Sequence, residues 1–193
     1  MASSRSKSLS KSVIALGANL NLRSSGPKVT LQRAIDAILR QGVVIRAVSR
    51  FFETPCFPAG AGPDYVNAAA LIETEKTPAE VLQLLHEVEH EFGRERVQRW
   101  GMRTLDLDLV CYDDLILPDP AEYDHWLNLP PEAQKQQAPE QLILPHPRLQ
   151  DRAFVLVPMA DIAPDWRHPV LGRTVIEMVA SLPTDDVEAV TPL

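Results

Sequence analysis

Apolar and polar residues alternate along the chain in short stretches that predict strands and longer stretches that predict helices. Residues 12–20, SVIALGANL, form an apolar run that ends in glycine and asparagine, which indicates a strand and then a turn. Between Pro27 and Gly42 apolar residues recur at helical spacing, which indicates a helix. Residues 43–52 are rich in β-branched side chains, and this stretch and residues 64–75 predict two further strands.

The second predicted helix has the clearest boundaries. Thr77 is placed to cap it, Pro78 suits its first position, and Glu80 completes a capping box. Gly93 is a natural stop for the same helix. The side chains that we expect on its buried face share one helical stripe: Val81, Leu84, Leu85, Val88 and Phe92.

A strand over residues 104–112 completes the element order β-α-β-β-α-β. That order is typical of the ferredoxin-like α+β fold, in which two split βαβ units place their helices on one face of a sheet. After this strand, residues 145–164 predict a turn and a helix, and residues 174–182 predict a final short helix. The predicted fold is therefore a ferredoxin-like sheet with C-terminal helical elements.

The chain suits one domain, because its 193 residues are 45% hydrophobic and can bury a substantial core. We assign residues 12–193 to that domain, and residues 1–11, which are basic and rich in serine, to a flexible tail. Residues 113–145 are rich in proline, glutamine and acids. We interpret them as a surface excursion of the same domain.

Charge and cysteine content limit the classes of function. The formal net charge of −7 argues against sequence-independent binding to nucleic acid, which needs a basic surface. Cys56 and Cys111 lie far apart and form neither a disulfide framework nor a CxxC metal site. There is no apolar run of about 18 residues to predict a membrane span, and the N-terminal residues lack a signal-peptide core. We expect a cytoplasmic protein that binds neither nucleic acid nor membrane.

Two aspartates lie within the apolar strand predicted over residues 104–112. Because alternate residues of a strand share a face, Asp106 and Asp108 point the same way and the leucines beside them point into the core. Carboxylates about 7 Å apart repel each other in a low dielectric unless a positive charge lies between them. Mg²⁺ meets that need, because it binds few carboxylates and keeps water and phosphate oxygens. The alternative is a half-exposed strand whose acids face water.

The loop before this strand is basic although the protein is acidic. Residues 93–103, GRERVQRWGMR, carry a single acid and the arginines Arg94, Arg96, Arg99 and Arg103. Guanidinium groups bind phosphate oxygens well, so a basic loop that leads into an acidic strand suits a complex of Mg²⁺ with a polyphosphate. The alternative is salt bridges to the two aspartates. No P-loop or Rossmann glycine motif is present, and His86 and His90 lack the rest of a zinc motif.

A pocket for a flat polar ring is suggested by the strand over residues 64–75. Tyr65 and Asn67 share one face of it. An aromatic ring beside a carboxamide can stack on a heteroaromatic ligand and bind its polar edge. Phe154 could supply a second aromatic wall. The alternative places both aromatic side chains in the core and bonds Asn67 to the backbone.

Several stretches of the chain resemble 6-hydroxymethyl-7,8-dihydropterin pyrophosphokinase, a family of folate-biosynthesis enzymes. In the family's order, from about residue 13 to residue 164, they are ALGANL, ETPCF, PDYVNAA, EVEHEFGRER, RWGMRTLDLDLV and LPHPRLQDRAFVLVPMADIAP. The stretch RWGMRTLDLDLV is far more specific than a lone D-x-D. The resemblance implies a ferredoxin-like α+β fold, in agreement with the element order.

The resemblance also implies a reaction. ATP and 6-hydroxymethyl-7,8-dihydropterin would give the pterin diphosphate and AMP, by attack of the hydroxymethyl oxygen on the β-phosphorus. ATP would be the co-substrate, and Mg²⁺, as two ions, the cofactor. We further expect a monomer whose product passes to dihydropteroate synthase in tetrahydrofolate biosynthesis.

The resemblance implies a role for each matching residue. Residues expected to act in catalysis are Arg94, Arg103, Asp106 and Asp108, and the two aspartates are the expected metal ligands. Residues expected to bind the pterin are Thr54, Pro55, Phe57, Tyr65, Asn67, Trp100 and Phe154. Residues expected to bind ATP are Glu89, Arg96, Arg103, Leu109, His146 and Arg152.

Three departures from the family pattern bear on these roles. The VQR stretch at residues 97–99 is short, Pro147 stands where some members have a side chain against ATP, and the excursion over residues 113–145 is long. Two other classes of function stay open. A Mg²⁺-dependent nucleotidyl- or glycosyltransferase could also use D-x-D, although it would not need the aromatic pair. A ferredoxin-like binding module without chemistry would leave the arginine loop unexplained.

Overall fold

The computed structural model describes residues 9–56, 62–93, 103–130, 133 and 136–193. In these parts of the chain the strands are β1 (Ser10–Ala18), β2 (Val44–Val48), β3 (Phe52–Thr54), β4 (Tyr65–Thr74), β5 (Asp106–Tyr112) and β6 (Thr191–Pro192). The helices are α1 (Pro27–Arg40), α2 (Pro78–Glu91), α3 (Pro120–Leu127), α4 (Ala153–Ile162), α5 (Val175–Val179) and α6 (Thr184–Glu188), and a 3₁₀ turn spans Leu149–Asp151. Within the described ranges, no helix has the length and apolar character needed to cross a membrane.

The strands form one antiparallel sheet in the order β5-β1-β4-β3-β6, and β2 pairs with the C-terminal part of β4. β4 therefore lies between β1 and the pair β2 and β3, which is the order expected of two interlocked split βαβ units. The predicted ferredoxin-like α+β fold is confirmed. One boundary is corrected: β1 begins at Ser10, so residues 10 and 11, which we assigned to the flexible tail, belong to the sheet.

The single strand predicted over residues 43–52 is wrong, because the chain turns aside between β2 and β3. The hydroxyl oxygen of Ser49 accepts a hydrogen bond from the backbone N–H of Ala69 at 2.9 Å. The guanidinium of Arg50 donates to both carboxylate oxygens of Asp161, at 2.8 and 2.9 Å. At the break Ser49 therefore contacts Ala69 through both its backbone N–H and its side chain, and β2 and β3 pair with different parts of β4.

Both predicted helices have the boundaries that their sequences indicate. α1 begins at Pro27, and the chain leaves it through Gly42, whose φ of +80° suits glycine. Thr77 and Glu80 form the reciprocal hydrogen bonds of a capping box at the start of α2. The predicted apolar stripe of α2 is buried.

Separate apolar cores form on the two faces of the sheet. On the first face, side chains of β1, β4 and β5 pack against α1 and α2, as the ferredoxin-like prediction requires. On the second face, Val13, Ala69 and Val110 pack with Leu156 and Met159 of α4. α4 is apolar on nearly all sides, which suits a helix that packs on a sheet. Helices therefore cover both faces, and not the first face alone.

The C-terminal segment contains more than the predicted final helix. α5 is followed by α6 and then by β6, which pairs with β3 at the edge of the sheet. α6 has five residues and β6 has two, so neither is long enough to show a periodic pattern in the sequence. In the excursion, α3 carries Tyr123, which is fully buried, and its hydroxyl lies 3.0 Å from Nε2 of the buried His168.

Candidate active site

A cavity of about 440 Å³ opens on the second face of the sheet, where α4 begins and leaves the adjoining ends of β1, β4 and β5 uncovered. Its lining combines residues predicted to bind a metal–phosphate complex with residues predicted to bind a flat ring. They are Thr54, Pro55, Tyr65, Asn67, Arg103, Asp106, Asp108, Arg152 and Phe154. Segments that are far apart in the sequence thus meet at one end of the sheet.

The two aspartates lie on the same face of β5 and both line the cavity, as strand alternation predicts. Their neighbours on β1 are Gly17, opposite Asp106, and Ala15, opposite Asp108. These small residues leave space next to the carboxylates. The side chains of Asp106 and Asp108 are 22% and 40% exposed, so both carboxylates are accessible to a ligand.

Each aspartate has an arginine partner. Arg103 forms an ion pair with Asp106, and a guanidinium nitrogen of Arg152 lies 3.7 Å from Oδ2 of Asp108. Burial acts to lower the pKa of Arg103, but the charges of Asp106 and Asp108 outweigh it and the pKa is raised. At Arg152 burial outweighs the nearby carboxylates and the pKa is lowered. The salt bridges considered above are therefore present, and they balance the charge of the acidic pair.

The ring side of the cavity is preorganised by a buried hydrogen bond. The side-chain amide of Asn67 donates to Oγ1 of Thr54 at 2.7 Å, which fixes the orientation of the carboxamide. Its Oδ1 then lies beside Gly17, where a Cβ atom would approach to 3.0 Å, so a larger residue would displace it. Tyr65 lines the cavity on the same strand face as Asn67. Phe154 also lines it and is 42% exposed, so the alternative that places Phe154 in the core is wrong.

His146 lies next to Arg152 and is a neutral group. Its Nδ1 accepts a hydrogen bond from the backbone N–H of Arg148 at 3.1 Å, and its Nε2 lies 3.3 Å from the guanidinium of Arg152. Both neighbours can only donate, and a neutral imidazole has one unprotonated nitrogen, so only one contact is a full hydrogen bond. Burial, followed by the charge of Arg152, lowers the pKa of His146 to about 3.

Some predicted residues are not brought to the cavity. Glu89 is buried on the first face of the sheet, where its Oε1 accepts a hydrogen bond from the backbone N–H of Leu107 at 2.7 Å. Leu109 is buried in the core that packs against α1 and α2. The other predicted residues lie outside the part of the chain that the structure describes: Phe57, Arg94, Arg96 and Trp100.

Sequence reasoning missed two charged residues of the cavity. Arg148 and Asp151 line it and form an ion pair of 2.8 Å. They lie at the 3₁₀ turn between His146 and α4. The charges in PHPRLQDR were a usable signal, because Arg148 and Arg152 are four residues apart across a tight turn. Asn19 matches the family in the first turn but was not among the predicted site residues, and its Oδ1 accepts a hydrogen bond from the backbone N–H of Arg103.

The donor set of this cavity suits a cation that takes few protein ligands. Among the described residues, no group of three or more histidine, cysteine, aspartate or glutamate side chains gathers around a point. Asp106 and Asp108 nevertheless offer carboxylate oxygens on one strand face. Mg²⁺ commonly binds through one or two carboxylates and completes its shell with water and substrate phosphate. The residues present therefore fit Mg²⁺ together with a phosphate ligand.

Comparison with known protein families gives one match over most of the chain. The sequence model of 7,8-dihydro-6-hydroxymethylpterin-pyrophosphokinase matches residues 13–164. Proteins named 2-amino-4-hydroxy-6-hydroxymethyldihydropteridine pyrophosphokinase are among the similar sequences. The protein from Synechocystis sp. is 36% identical over 182 residues, 93% of this chain and 80% of that protein. The protein from Pseudomonas aeruginosa is 34% identical over 177 residues, 91% of this chain and 93% of that protein.

Solved structures support the same fold. The Plasmodium falciparum HPPK-DHPS chain in complex with pterin and p-hydroxybenzoate superposes with a TM-score of 0.63 at 13% sequence identity. The match covers 92% of this chain and 44% of that chain, so this chain spans less than half of the Plasmodium protein. At this identity the similarity concerns the fold alone.

Proposed function

This chain belongs to the 7,8-dihydro-6-hydroxymethylpterin-pyrophosphokinase family, and from that premise we propose that it transfers pyrophosphate from ATP to 6-hydroxymethyl-7,8-dihydropterin. The products are AMP and the pterin diphosphate, an intermediate of tetrahydrofolate biosynthesis. The observation that carries the proposal is one cavity that combines Asp106 and Asp108, each with an arginine partner, with Tyr65 and Asn67. Neither a D-x-D glycosyltransferase nor a plain binding module needs that combination.

Asp106 and Asp108 are the proposed ligands of two Mg²⁺ ions. When bound, such ions neutralise phosphate charge and polarise the group that is transferred. The protein contributes carboxylates whose positions are set in advance, because the intervening Leu107 is buried on the opposite face of β5. A polyphosphate that enters the cavity therefore meets two acids at a fixed spacing.

Arg103 and Arg152 are proposed to exchange partners when the nucleotide binds. In this structure they pair with Asp106 and Asp108. With cations held at those carboxylates, the guanidinium groups would be available to contact phosphate oxygens, for which their geometry is well suited. Transfer of a pyrophosphoryl group depends on in-line positioning and charge neutralisation, and the arginines supply both toward the AMP leaving group. The neutral His146 adds a hydrogen-bonding group there without adding charge.

The ring side of the cavity is proposed to bind the pterin. Tyr65 and Phe154 offer aromatic surface to a flat heterocycle. Asn67 offers a carboxamide whose orientation is fixed by Thr54, so its oxygen accepts from ring N–H groups without reorganisation. Pro55 completes this side of the lining.

The remaining proposals rest on the family resemblance. They assign Phe57 and Trp100 to the pterin, Arg94 to catalysis and Arg96 to ATP. The resemblance also assigns Glu89 and Leu109 to ATP, although in this structure both side chains are buried on the first face of the sheet, away from the cavity. They also include a monomeric enzyme whose product passes to dihydropteroate synthase. A cytoplasmic location fits the two cysteines, Cys56 and Cys111, which are both free thiols.

Product analysis tests the proposed function. The protein is incubated with ATP, Mg²⁺ and 6-hydroxymethyl-7,8-dihydropterin, and AMP is separated from ADP by chromatography. We expect AMP to appear in step with pterin diphosphate. ADP in place of AMP would indicate transfer of a single phosphoryl group. Folded protein that consumes no ATP in a pterin-dependent way would contradict the proposal.

A further inference from the structure

A buried asparagine joins two segments that carry opposite sides of the cavity. Asn19 follows β1 and is 2% exposed. Its Oδ1 accepts a hydrogen bond from the backbone N–H of Arg103 at 2.9 Å, and its own backbone N–H donates to the carbonyl of Arg103 at 3.1 Å. Its side-chain amide donates to the carbonyl of Pro63 at 3.1 Å. Both ends of the carboxamide are therefore used, each on a different segment.

One of the two segments carries a residue proposed to bind the nucleotide, and the other leads to a residue proposed to bind the pterin. Arg103, held by Asn19 at both its N–H and its carbonyl, pairs with Asp106 on the phosphate side. Pro63 lies two residues before Tyr65, on the ring side. A shift of the Asn19 carboxamide would therefore move the backbone on which either group depends.

We propose that Asn19 is a positioning residue, which holds the backbone of Arg103 for the nucleotide and the backbone before Tyr65 for the pterin. The inference rests on the proposed function. The two contacts suit a carboxamide, because its oxygen accepts from Arg103 while its separate amide nitrogen donates to Pro63. Aspartate can still accept from Arg103, but it cannot donate to Pro63 and places an oxygen against a carbonyl oxygen. Alanine can do neither.

A purely structural role is the competing explanation, and the same strand offers a matched control. Ser12 is 1% exposed, and its hydroxyl donates to the carbonyl of Cys111 at 2.7 Å. It lies near the opposite end of β1 and does not line the cavity. Ser12→Ala therefore removes a buried hydrogen bond to a backbone carbonyl without touching the proposed site.

The test compares Asn19→Ala, Asn19→Asp and Ser12→Ala in the full chain, at a temperature where unfolding curves show each to be folded. We expect Asn19→Ala to lose about 10- to 100-fold in kcat/KM for ATP and to raise the KM for the pterin as well. Asn19→Asp should raise the KM for the pterin about tenfold and leave the ATP parameters close to wild type. Asn19→Ser, with one short hydroxyl, replaces the alanine variant if that variant unfolds.

Two results would overturn the inference. One is that Asn19→Ala keeps the kcat and KM values of the wild type, as we expect Ser12→Ala to do. The other is that Asn19→Asp changes the KM for ATP and the KM for the pterin by the same factor. Calorimetric binding of α,β-methylene-ATP with Mg²⁺ separates this inference from the proposed function. If the wild type makes no AMP but binds the analogue, weaker binding by Asn19→Ala than by Ser12→Ala supports the positioning role, and equal binding overturns it. No binding by the wild type would overturn both.

Discussion

The two faces of β5 carry opposite chemistry on neighbouring residues. On the first face, Leu107 and Leu109 are 2% and 4% exposed and pack against the helices that cover the sheet. On the second face, Asp106 and Asp108 line an open cavity, because α4 covers only part of that face. The comparison shows how the leucines can fix the strand so that the acids have a defined spacing.

Removing an acid should cause the largest loss of function with little loss of stability. Asp106→Ala removes a proposed metal ligand, and the several kcal/mol that a metal ion contributes to transition-state stabilisation correspond to at least about 10³-fold in kcat. The free energy of unfolding should change by about 1 kcal/mol or less, because the loss of the partly buried ion pair with Arg103 is offset by relief of the repulsion between Asp106 and Asp108. Steady-state kinetics and urea unfolding measure the two effects.

The control for this acid is Asp114→Ala, because Asp114 is an exposed aspartate just beyond β5. It should retain wild-type kcat. Near-normal turnover by Asp106→Ala would contradict the assignment of the metal site.

Removing a leucine from the first face should have the opposite effect. Leu107→Ala leaves a cavity in the core and should lower the free energy of unfolding by about 2–5 kcal/mol. At a temperature where the variant is folded, its kcat should stay within about tenfold of wild type, because the acids on either side are retained. Chemical denaturation and kinetics on one preparation make the comparison. Leu115→Ala, at an exposed leucine, is the control for stability.

Strand alternation was enough to predict both faces of β5, because a period of two residues is dictated by backbone geometry. The start of α2 was also predictable, because the capping residues Thr77 and Glu80 lie within four residues of each other and form a local signal. The break at Ser49 was missed, because its partner on β4 is 20 residues away. The contact of Tyr123 with His168 joins residues 45 apart, so neither residue carries a local signal of it. Features set by distant partners required the structure.

Glu89 tests whether the two faces are independent. It lies on the first face, yet its carboxylate accepts a hydrogen bond from the backbone N–H of Leu107, between the two acids. Glu89→Ala leaves that buried N–H without this acceptor and should cost about 1–3 kcal/mol of unfolding free energy. A shift of β5 should also lower kcat by about tenfold. Glu89→Gln keeps an oxygen acceptor and should recover most of both losses, whereas equal losses in both variants would show that charge matters.

Acid should weaken the protein through a histidine that is remote from the cavity. Burial, with the charge of Arg173, lowers the pKa of His168 to about 4. In the unfolded chain the pKa of a histidine is about 6.5, so the unfolded state binds more protons between these values. This contribution to stability is complete above pH 6.5 and is lost as the pH falls toward 4. Urea unfolding at several pH values should show that stability depends less on pH for His168→Asn than for the wild type, and an equal dependence would contradict this assignment.

The smallest effect is expected where the excursion meets the C-terminal segment. The hydroxyl of Tyr123 lies 3.0 Å from Nε2 of His168, and the Nδ1 of that ring accepts from the backbone N–H groups of Val170 and Leu171. With Nδ1 used as an acceptor, the neutral ring carries its proton on Nε2 and donates to the hydroxyl. Tyr123→Phe removes this acceptor and keeps the buried ring, so it should cost about 0.5–1.5 kcal/mol.

The same variant should leave kcat and both KM values unchanged, because neither Tyr123 nor His168 lines the cavity. Tyr123→Ala, which also removes the ring from the core, should cost about 3–5 kcal/mol and serves as the comparison. If Tyr123→Phe altered the KM for ATP, the excursion would act on the nucleotide side of the site as well as anchor the C-terminal segment. Unchanged kinetics in a measurably destabilised variant would assign this contact to stability alone, in contrast to the arginine and aspartate pairs at the other end of the sheet.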